Sequence, residues 1–402
     1  MTEEVTLYLA VQTRLHRDVD GNVRSDQGYA GYEAWKAYLS GVAKLILIAR
    51  VSDRVSDTGL VVEGPGVSVL AIPFYQGPIG FARQYRNIRR LLARELTDSS
   101  ALYGARIGDL AGTLVYRRSA RLGARFMAQV VGDPEDVLRN GAGGWVGAAL
   151  AGQARRAAMR QVARADAVMY VTRRTLQAKY PSRPGARTLV RSNVELSAAS
   201  FVDDSRDYQR SPIKAPLRLI AAGGQEQLYK GHGTLIEAVS VLRSRGTAVQ
   251  ATIIGDGHYH DSLVDLARTL KVSDSVEFLG NLPGAHLVQE HIRRSDIFVM
   301  PSLTEGLPRV LIEAMAGGVL SIGSRVGGIP ELISDEVLFE PGNSGELADL
   351  VDRIVADPTH MTALARAQWA EAKLIRESYS GSAVLGSFLL GIAADRRQGE
   401  RT

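Results

Sequence analysis

Short apolar runs alternate along the chain with longer amphipathic stretches. The apolar runs have the length of strands that are buried on both faces, and they lie at residues 5–10, 45–51, 67–72, 126–131, 167–171, 217–221, 251–254, 276–279 and 297–302. The amphipathic stretches have helical periodicity. In the stretch 80–97, for example, Phe81, Tyr85, Ile88 and Leu92 recur at helical spacing. This rhythm predicts parallel sheets wrapped by helices, an α/β fold.

The length of the chain predicts two domains. Its 402 residues, 45% of them hydrophobic, are enough for two packed cores. A polar stretch with two prolines, 201–216, has little apolar periodicity and is typical of a linker. We therefore place the domain boundary near Arg210.

Cysteine usage and the N-terminal residues suggest a cytoplasmic protein. The absence of cysteine excludes disulfides, thiol catalysis and Cys-ligated metal, and is consistent with a reducing compartment. The start has no basic region followed by a long apolar run, and no stretch reaches the ~20 apolar residues that span a bilayer. We expect a soluble protein that is not exported.

Charge is distributed unequally between the two halves. Residues 1–200 carry 28 Lys or Arg against 17 Asp or Glu, whereas residues 201–402 carry 20 against 26. A basic half favours an anionic partner. We expect no nucleic acid partner, since RNA-binding aromatic motifs and zinc fingers are absent and aromatic residues make up only 6%. The stretch 80–97 carries a basic stripe that could contact an anionic membrane surface or simply be a solvated face: Arg83, Arg86, Arg90 and Arg94.

The stretch MPSLTEGLPRVLIEAMAGG, 300–318, carries the most specific chemistry. It predicts a buried strand, a turn with Glu305, and a helix that begins near Pro308. Free amides at a helix start favour a phosphate or a developing negative charge. Glu313 stands within an apolar run. With Arg309 it could form an ordinary exposed pair worth ~0.3 kcal/mol, or it could be a functional carboxylate, because burying it without a partner is costly.

Three further sites are candidates for ligand contact. Lys230, just before a predicted helix, is well placed to meet phosphate, although the P-loop spacing is absent. Asp133 follows the strand 126–131 and could face a ligand or cap the next helix. His258 and His260 have the spacing of a metal pair but no evident third ligand.

The residues EGLPRVLIEAMAGG, followed by SRVGGIPELI, resemble the Glu-x7-Glu signature of retaining glycosyltransferases of family 4, which have the GT-B fold. The resemblance implies two Rossmann-like parallel-sheet domains that face each other across a cleft. It assigns acceptor binding to residues 1–210 and donor binding to 211–375. In residues 376–402 it implies a helix crossing back to the N-terminal domain, followed by a tail.

The same resemblance implies a reaction and its residues. A sugar would pass from a UDP- or GDP-sugar to a hydroxyl acceptor, with no metal or other cofactor, at the inner face of the membrane. The implied catalytic residues are Glu305, Lys230 and Asp133. Gly28 and Tyr29, in the polar loop after the first strand, are the acceptor candidates. The implied donor contacts are Gly224, Gln225, Lys230, Gly280, Asn281, Leu282, Glu305, Gly306, Leu307, Arg309, Val310 and Glu313.

Gln225 departs from the family pattern. It stands where relatives commonly have an arginine, so we expect another cation, such as Arg309, to replace that contact.

The sequence leaves the acceptor open. A cell-surface polysaccharide or lipid-linked glycan fits the layout, and a small natural product is the alternative. A sugar-nucleotide epimerase of the same fold and a binding module without activity are the rival functions. A Rossmann oxidoreductase is disfavoured, because no G-x-G-x-x-G follows the first strand.

Overall fold

A computed structural model describes residues 5–26, 30–140, 144–192, 196, 198–379 and 382–399. The chain divides into two compact units. The first comprises Met1–Glu135, Leu150–Arg191 and Gly381–Thr402, and the second comprises Asp136–Ala149 and Ser192–Ser380.

The boundary predicted near Arg210 lies inside the second unit. The preceding segment is attached there by hydrogen bonds: the N–H of Val202 donates to the Ala316 carbonyl at 3.2 Å, and the Tyr208 hydroxyl donates to the Asp296 carbonyl at 2.8 Å. A polar composition therefore did not make this segment a free linker.

The N-terminal part of the chain folds around one large sheet. Its elements are β1 (Thr6–Arg17), β2 (Val23–Ser25), α1 (Tyr32–Lys36), β3 (Lys44–Val55), β4 (Leu60–Val61), β5 (Val67–Pro73), α2 (Gly77–Glu95), β6 (Leu102–Arg106), α3 (Leu110–Leu122), β7 (Arg125–Val130), α4 (Pro134–Arg139), α5 (Gly144–Arg164), β8 (Ala167–Tyr170), α6 (Thr175–Lys179) and β9 (Arg187–Val190). Seven strands are parallel, in the order β5, β3, β1, β6, β7, β8, β9. The chain leaves β1 on one side and later returns on its other side, so the order reverses between β1 and β6. Ligands of such sheets bind at the carboxyl ends of the strands beside this reversal.

The polar stretch after the first apolar run is not simply a loop. β1 continues to Arg17, and β2 folds back on it as an antiparallel hairpin in which His16 pairs with Arg24. Leu15 and Val23 provide the reason, since both side chains are buried in the core. The acceptor candidates Gly28 and Tyr29 lie outside the described residues.

The second unit contains a six-stranded parallel sheet in the order β12, β11, β10, β13, β14, β15. Its elements are β10 (Leu217–Ala222), α7 (His232–Ser244), β11 (Val249–Ile254), α8 (His260–Thr269), β12 (Val276–Gly280), α9 (Ala285–Arg294), β13 (Ile297–Met300), α10 (Arg309–Ala316), β14 (Ser321–Ser324), β15 (Leu338–Phe339), α11 (Ser344–Val355) and α12 (Pro358–Tyr379). The order reverses between β10 and β13, which are neighbours. The loops that follow these two strands carry Lys230 and Glu305. The predicted end of the donor domain at residue 375 falls inside α12.

The last helix, α13 (Ser382–Gly399), belongs to the first unit. Leu385, Phe388 and Leu389 are buried in that unit's apolar core. A Cβ atom on Gly386 would lie 2.8 Å from the carbonyl oxygen of Ser40, so this position admits little beyond glycine. Among the helices of the described residues, none combines the length and apolarity needed to cross a membrane.

Candidate active site

Lys230 and Glu305 form an ion pair in the second unit. The Lys230 Nζ lies 2.7 Å from the Glu305 Oε1, and the Ser302 hydroxyl donates to the same oxygen at 2.9 Å. The lysine side chain is 25% exposed and the glutamate side chain 10% exposed. The pair is therefore close to solvent yet held by protein groups, which suits groups that bind a polar ligand.

Close backbone packing brings these two residues together. Gly231, which follows the lysine, has a φ of +71°, and a Cβ atom there would lie 1.8 Å from the Pro301 carbonyl oxygen. Only glycine fits such an approach. Next to this contact the N–H of Leu303 donates to the Tyr229 carbonyl at 2.7 Å. The loops after β10 and β13 thus touch through their main chains.

The loop that carries Glu305 is supported from its other side by the glycine pair of SRVGG. Gly327 has a φ of +52°, and a Cβ atom there would lie 1.9 Å from the Glu305 carbonyl oxygen. The N–H of Gly328 donates to the Gly306 carbonyl at 2.7 Å. The two glycines therefore fix the backbone position of the turn that carries Glu305.

Glu313 and Arg309 form the second ion pair, one turn apart on α10. The Arg309 Nε donates to the Glu313 Oε1 at 2.7 Å. The pair expected from sequence spacing does form, but it is not an ordinary exposed one, because Glu313 is only 8% exposed. A carboxylate buried to this degree needs its cation, and removing one partner of a buried pair is strongly destabilising.

The glycine-rich loop after β10 is locked to the neighbouring turn. The Gln225 side chain donates to the Gly255 carbonyl at 2.7 Å, and His260 Nδ1 donates to its amide oxygen at 2.9 Å. A Cβ atom on Gly257 would lie 2.4 Å from the N–H nitrogen of Glu226, which leaves no slack between the two segments. Gln225 thus uses its amide for structure, whereas sequence analysis placed it at the position of a phosphate-binding arginine.

His232, the first residue of α7, also holds the loop after β10 in place. Its Nε2 lies 3.0 Å from the Gly223 carbonyl, which can only accept, so the ring donates from Nε2. Burial is the main cause that lowers the pKa of His232 to about 4; the bond to Gly223 opposes this shift, and the Lys230 charge adds to it. The ring is therefore neutral at physiological pH. The Lys230 stem lies against Gly223, about 3.4 Å from where a Cβ atom would stand, so the histidine supports the lysine indirectly.

Residues 204–373 match the family described as glycosyl transferases group 1. The second unit carries a group 1 glycosyl transferase domain.

Relatives of known name agree with this match. Protein CapJ of Staphylococcus aureus is 24% identical over 333 residues, which cover 81% of this chain and 80% of CapJ. The amylovoran biosynthesis glycosyltransferase AmsK of Erwinia amylovora is 33% identical over 154 residues, 36% of this chain and 37% of AmsK. A GDP-mannose-dependent phosphatidylinositol monomannoside mannosyltransferase of Mycobacterium tuberculosis is 31% identical over 179 residues, 42% of this chain and 46% of that protein.

Solved structures extend the likeness to the whole chain. Sucrose-phosphate synthase from Thermosynechococcus elongatus superposes with a TM-score of 0.69 at 15% identity, covering 99% of both chains. Anabaena Alr3699/HepE, in complex with UDP and glucose, gives 0.62 at 16% identity, covering 98% of this chain and 99% of that one. The predicted GT-B fold is confirmed.

The other predicted donor contacts of the group 1 domain differ in how they are used. Gly224 is exposed, and a Cβ atom there would meet nothing within 4 Å. Leu282, Leu307 and Val310 are partly buried and pack against the apolar core. Asn281 is exposed and Gly280 and Gly306 are partly exposed, so these three stay candidates.

Asp133, in the first unit, is occupied by protein groups. Its carboxylate accepts from the N–H of Glu135 at 2.9 Å and from the Tyr180 hydroxyl at 2.7 Å, and it pairs with Lys179. Of the two interpretations that the sequence leaves open, the structure provides the contacts of the helix cap. A role in catalysis stays a prediction.

The predicted metal pair has another use for one of its members. His260 donates to Gln225, and the His258 ring packs edge-on against Tyr259. Neither histidine belongs to a cluster of three potential metal ligands in the described part of the chain.

Sequence reasoning missed the residues that support the site. Ser302, Gly231 and His232 each fix one of its charged groups or loops. The available signal was the string KGHG, a glycine on either side of a histidine at a helix start, which indicates tight backbone packing.

Proposed function

We propose that the protein is a retaining glycosyltransferase of family 4 that moves a sugar from a nucleoside diphosphate sugar to a hydroxyl acceptor. The observation that carries the proposal is the Lys230–Glu305 pair, 2.7 Å long, at the carboxyl ends of the neighbouring strands β10 and β13. This is the edge at which ligands of such sheets bind. The group 1 match and the UDP and glucose held by HepE support the same class of donor.

In this proposal the departing diphosphate is the group that needs stabilising. The bond from the sugar C1 to the diphosphate breaks, its electron pair stays on phosphate, and the acceptor oxygen bonds to C1 on the same face. The acceptor proton passes to the departing phosphate oxygen. The Lys230 ammonium and the N–H groups at the start of α10 would meet the developing charge, where one placed donor is typically worth ~3 kcal/mol.

The carboxylates take separate roles. Glu305, whose Oε1 already accepts from an ammonium and a hydroxyl, would accept from the sugar hydroxyls. Glu313 would hold the ribose hydroxyls, with Arg309 holding its carboxylate in position. Cationic charge comes from Lys230 and Arg309, and the proposed reaction uses no metal.

We propose a cell-surface polysaccharide or lipid-linked glycan as the product, made in the cytoplasm at the inner face of the membrane. The names of AmsK and of the mycobacterial mannosyltransferase support this class. On α2, Arg83, Arg86, Arg90 and Arg94 are exposed, opposite the buried Ile88, as a membrane-contacting face requires. Sedimentation with vesicles, with and without anionic lipid, tests the contact. Equal recovery in both supernatants would exclude it.

A donor panel tests the transferase proposal. The protein is incubated with UDP- and GDP-sugars, with and without candidate acceptors and with a chelator present, and nucleoside diphosphate release is measured. A transferase releases diphosphate faster when an acceptor is added, and a chelator has no effect. An epimerase would release free sugar or nucleotide without acceptor, and a binding module would consume no donor.

A further inference from the structure

The carboxyl edge of the first unit's sheet gathers polar side chains from separate elements. Arg50 lies on β3, Tyr75 follows β5, Arg106 ends β6, and Asp109 precedes α3. The Arg50 guanidinium stacks over the Tyr75 ring, 4.8 Å from its centroid. Both arginines interact electrostatically with the Asp109 carboxyl. The group lies beside the reversal between β1 and β6, where a ligand is expected.

Arg50 is held by the backbone. Its Nη1 donates to the Tyr75 carbonyl at 3.2 Å and its Nη2 to the Gln12 carbonyl at 2.6 Å. Gln12 lies in the irregular part of β1, between Ala10 and Arg14, where the register against β3 shifts. This guanidinium is therefore fixed in place as part of the fold.

Asp109 is committed to capping α3. Its side chain accepts from the N–H of Gly112 at 2.8 Å and is only 5% exposed. Burial raises the pKa of the Asp109 carboxyl, and the Gly112 bond and the charge of Arg50 oppose that rise. The single acid of the group is thus engaged elsewhere and does not neutralise both arginines.

Among the four residues of this group, Arg106 is the one whose side chain makes no hydrogen bond within the described part of the chain. Within the described part of the chain no hydrogen bond or ion pair to its side chain is found, and its Nε is buried without an acceptor. A buried donor left unpaired is destabilising. The residue as a whole is partly exposed, so the end of its guanidinium can be reached from solvent.

We propose that Arg106, at the end of β6, binds an oxyanion of the phosphate type at this edge, where Arg50 supplies a second positive charge near Asp109. A guanidinium presents donors in a planar fork that matches two oxygens of one phosphate. The assignment of the ligand rests on the proposed transferase function: the anion belongs to the acceptor, which therefore carries a phosphate group near the hydroxyl that receives the sugar.

A binding measurement tests the site without any donor or turnover. Inorganic phosphate is titrated into wild-type protein and into a Lys230→Met variant, at ionic strength held constant with sodium chloride. The Lys230→Met background separates this site from phosphate bound at the donor side. Arg106→Gln is compared in both backgrounds with Arg164→Gln, an exposed arginine at the end of α5 that likewise has no bond among the described residues.

Arg106→Gln should weaken phosphate binding at least ~10-fold and leave the unfolding midpoint unchanged or raised, because no protein bond is lost. Arg164→Gln should change neither quantity. Phosphate binding that survives Arg106→Gln, or a variant that loses folding stability along with binding, would overturn the proposal. A failed donor panel with this result intact would reject the transferase function but not the anion site.

Two phosphate esters then separate the sources of the anion. Glycerol phosphate and dihexanoyl phosphatidic acid, the latter below its micelle concentration, are titrated under the same conditions. Tighter binding of the lipid identifies a lipid phosphate, and equal binding a water-soluble one. Failure of both esters to bind in an Arg106-dependent way would contradict the proposal.

Discussion

The pair of Lys230 and Glu305 makes separate predictions for stability and for turnover. Lys230→Met leaves the Glu305 carboxylate, 10% exposed, with Ser302 as its remaining donor among the residues that the structure describes. A hydrogen bond to a charged group contributes ~1.5–3 kcal/mol, and a buried charge without its partner is costly. We therefore expect Lys230→Met to lower the free energy of unfolding by about 2 kcal/mol, with Glu305→Gln lowering it by less.

The double variant distinguishes a structural pair from a catalytic one. Once Glu305 is also changed to Gln, no unpaired carboxylate is left, so stability should recover by ~1–2 kcal/mol relative to Lys230→Met. Turnover should not recover. Each single variant should reduce it by ~100-fold or more, since in the proposed reaction each removes a group that acts on the transition state.

Urea denaturation measures the first quantity and diphosphate release with the active donor measures the second. The stability cycle needs no knowledge of the donor, so it can be completed first. Wild-type turnover in either single variant would refute the catalytic assignment. A double variant no more stable than Lys230→Met would show that the two side chains are not coupled in solution.

Three other predictions concern the loops and the second carboxylate. Gly231→Ala should lower the free energy of unfolding by at least ~2 kcal/mol, because its Cβ would meet the Pro301 carbonyl at a positive φ. Gly224→Ala, with open space around it, should change the free energy of unfolding by less than ~0.5 kcal/mol. His232 has a folded pKa of about 4, below its unfolded value near 6.5. Its neutral form therefore contributes stability above pH 6.5, and this contribution is lost as the pH falls towards 4. The total loss in the free energy of unfolding is on the order of 3 kcal/mol. Glu313→Ala should weaken nucleotide binding ~10-fold with a smaller effect on turnover at saturation.

Each of these has its own control. The glycine comparison fails if both alanine variants unfold at the same urea concentration. For His232, the reference is His232→Gln, which should show a shallower loss of stability between pH 6.5 and 4, and parallel curves would rule out the assignment. Calorimetric titration of the nucleoside diphosphate checks Glu313→Ala, for which unchanged affinity would remove it from the ribose contact.

The fold was largely predictable because buried parallel strands carry continuous apolar runs. All five such runs in the N-terminal half are strands in the structure. β6 was missed because Arg106 and a glycine interrupt the short sequence LYGAR, and β9 because it is a partly exposed edge strand. The hairpin of β1 and β2 was missed because several of its buried residues, such as Thr13, His16 and Ser25, are polar.

The site was predictable as a set of residues but not as a set of contacts. Spacing on one helix could anticipate the pair of Arg309 and Glu313, whereas Lys230 and Glu305 are 75 positions apart and meet only because Gly231 lets two loops touch. Nothing in the sequence shows that the Gln225 amide is used up by Gly255 and His260.

The first unit is assembled from both ends of the chain. Its core includes Leu385, Phe388 and Leu389 of α13, and its Ser40 hydroxyl donates to the Ser382 carbonyl at 2.8 Å. During synthesis on the ribosome, the first 191 residues emerge long before this helix does. The apolar side chains that α13 covers therefore stay exposed until the intervening 190 or so residues have left the exit tunnel. A nascent chain halted before residue 382 should therefore be captured by chaperones, and an excised N-terminal fragment should become soluble when a peptide of α13 is supplied.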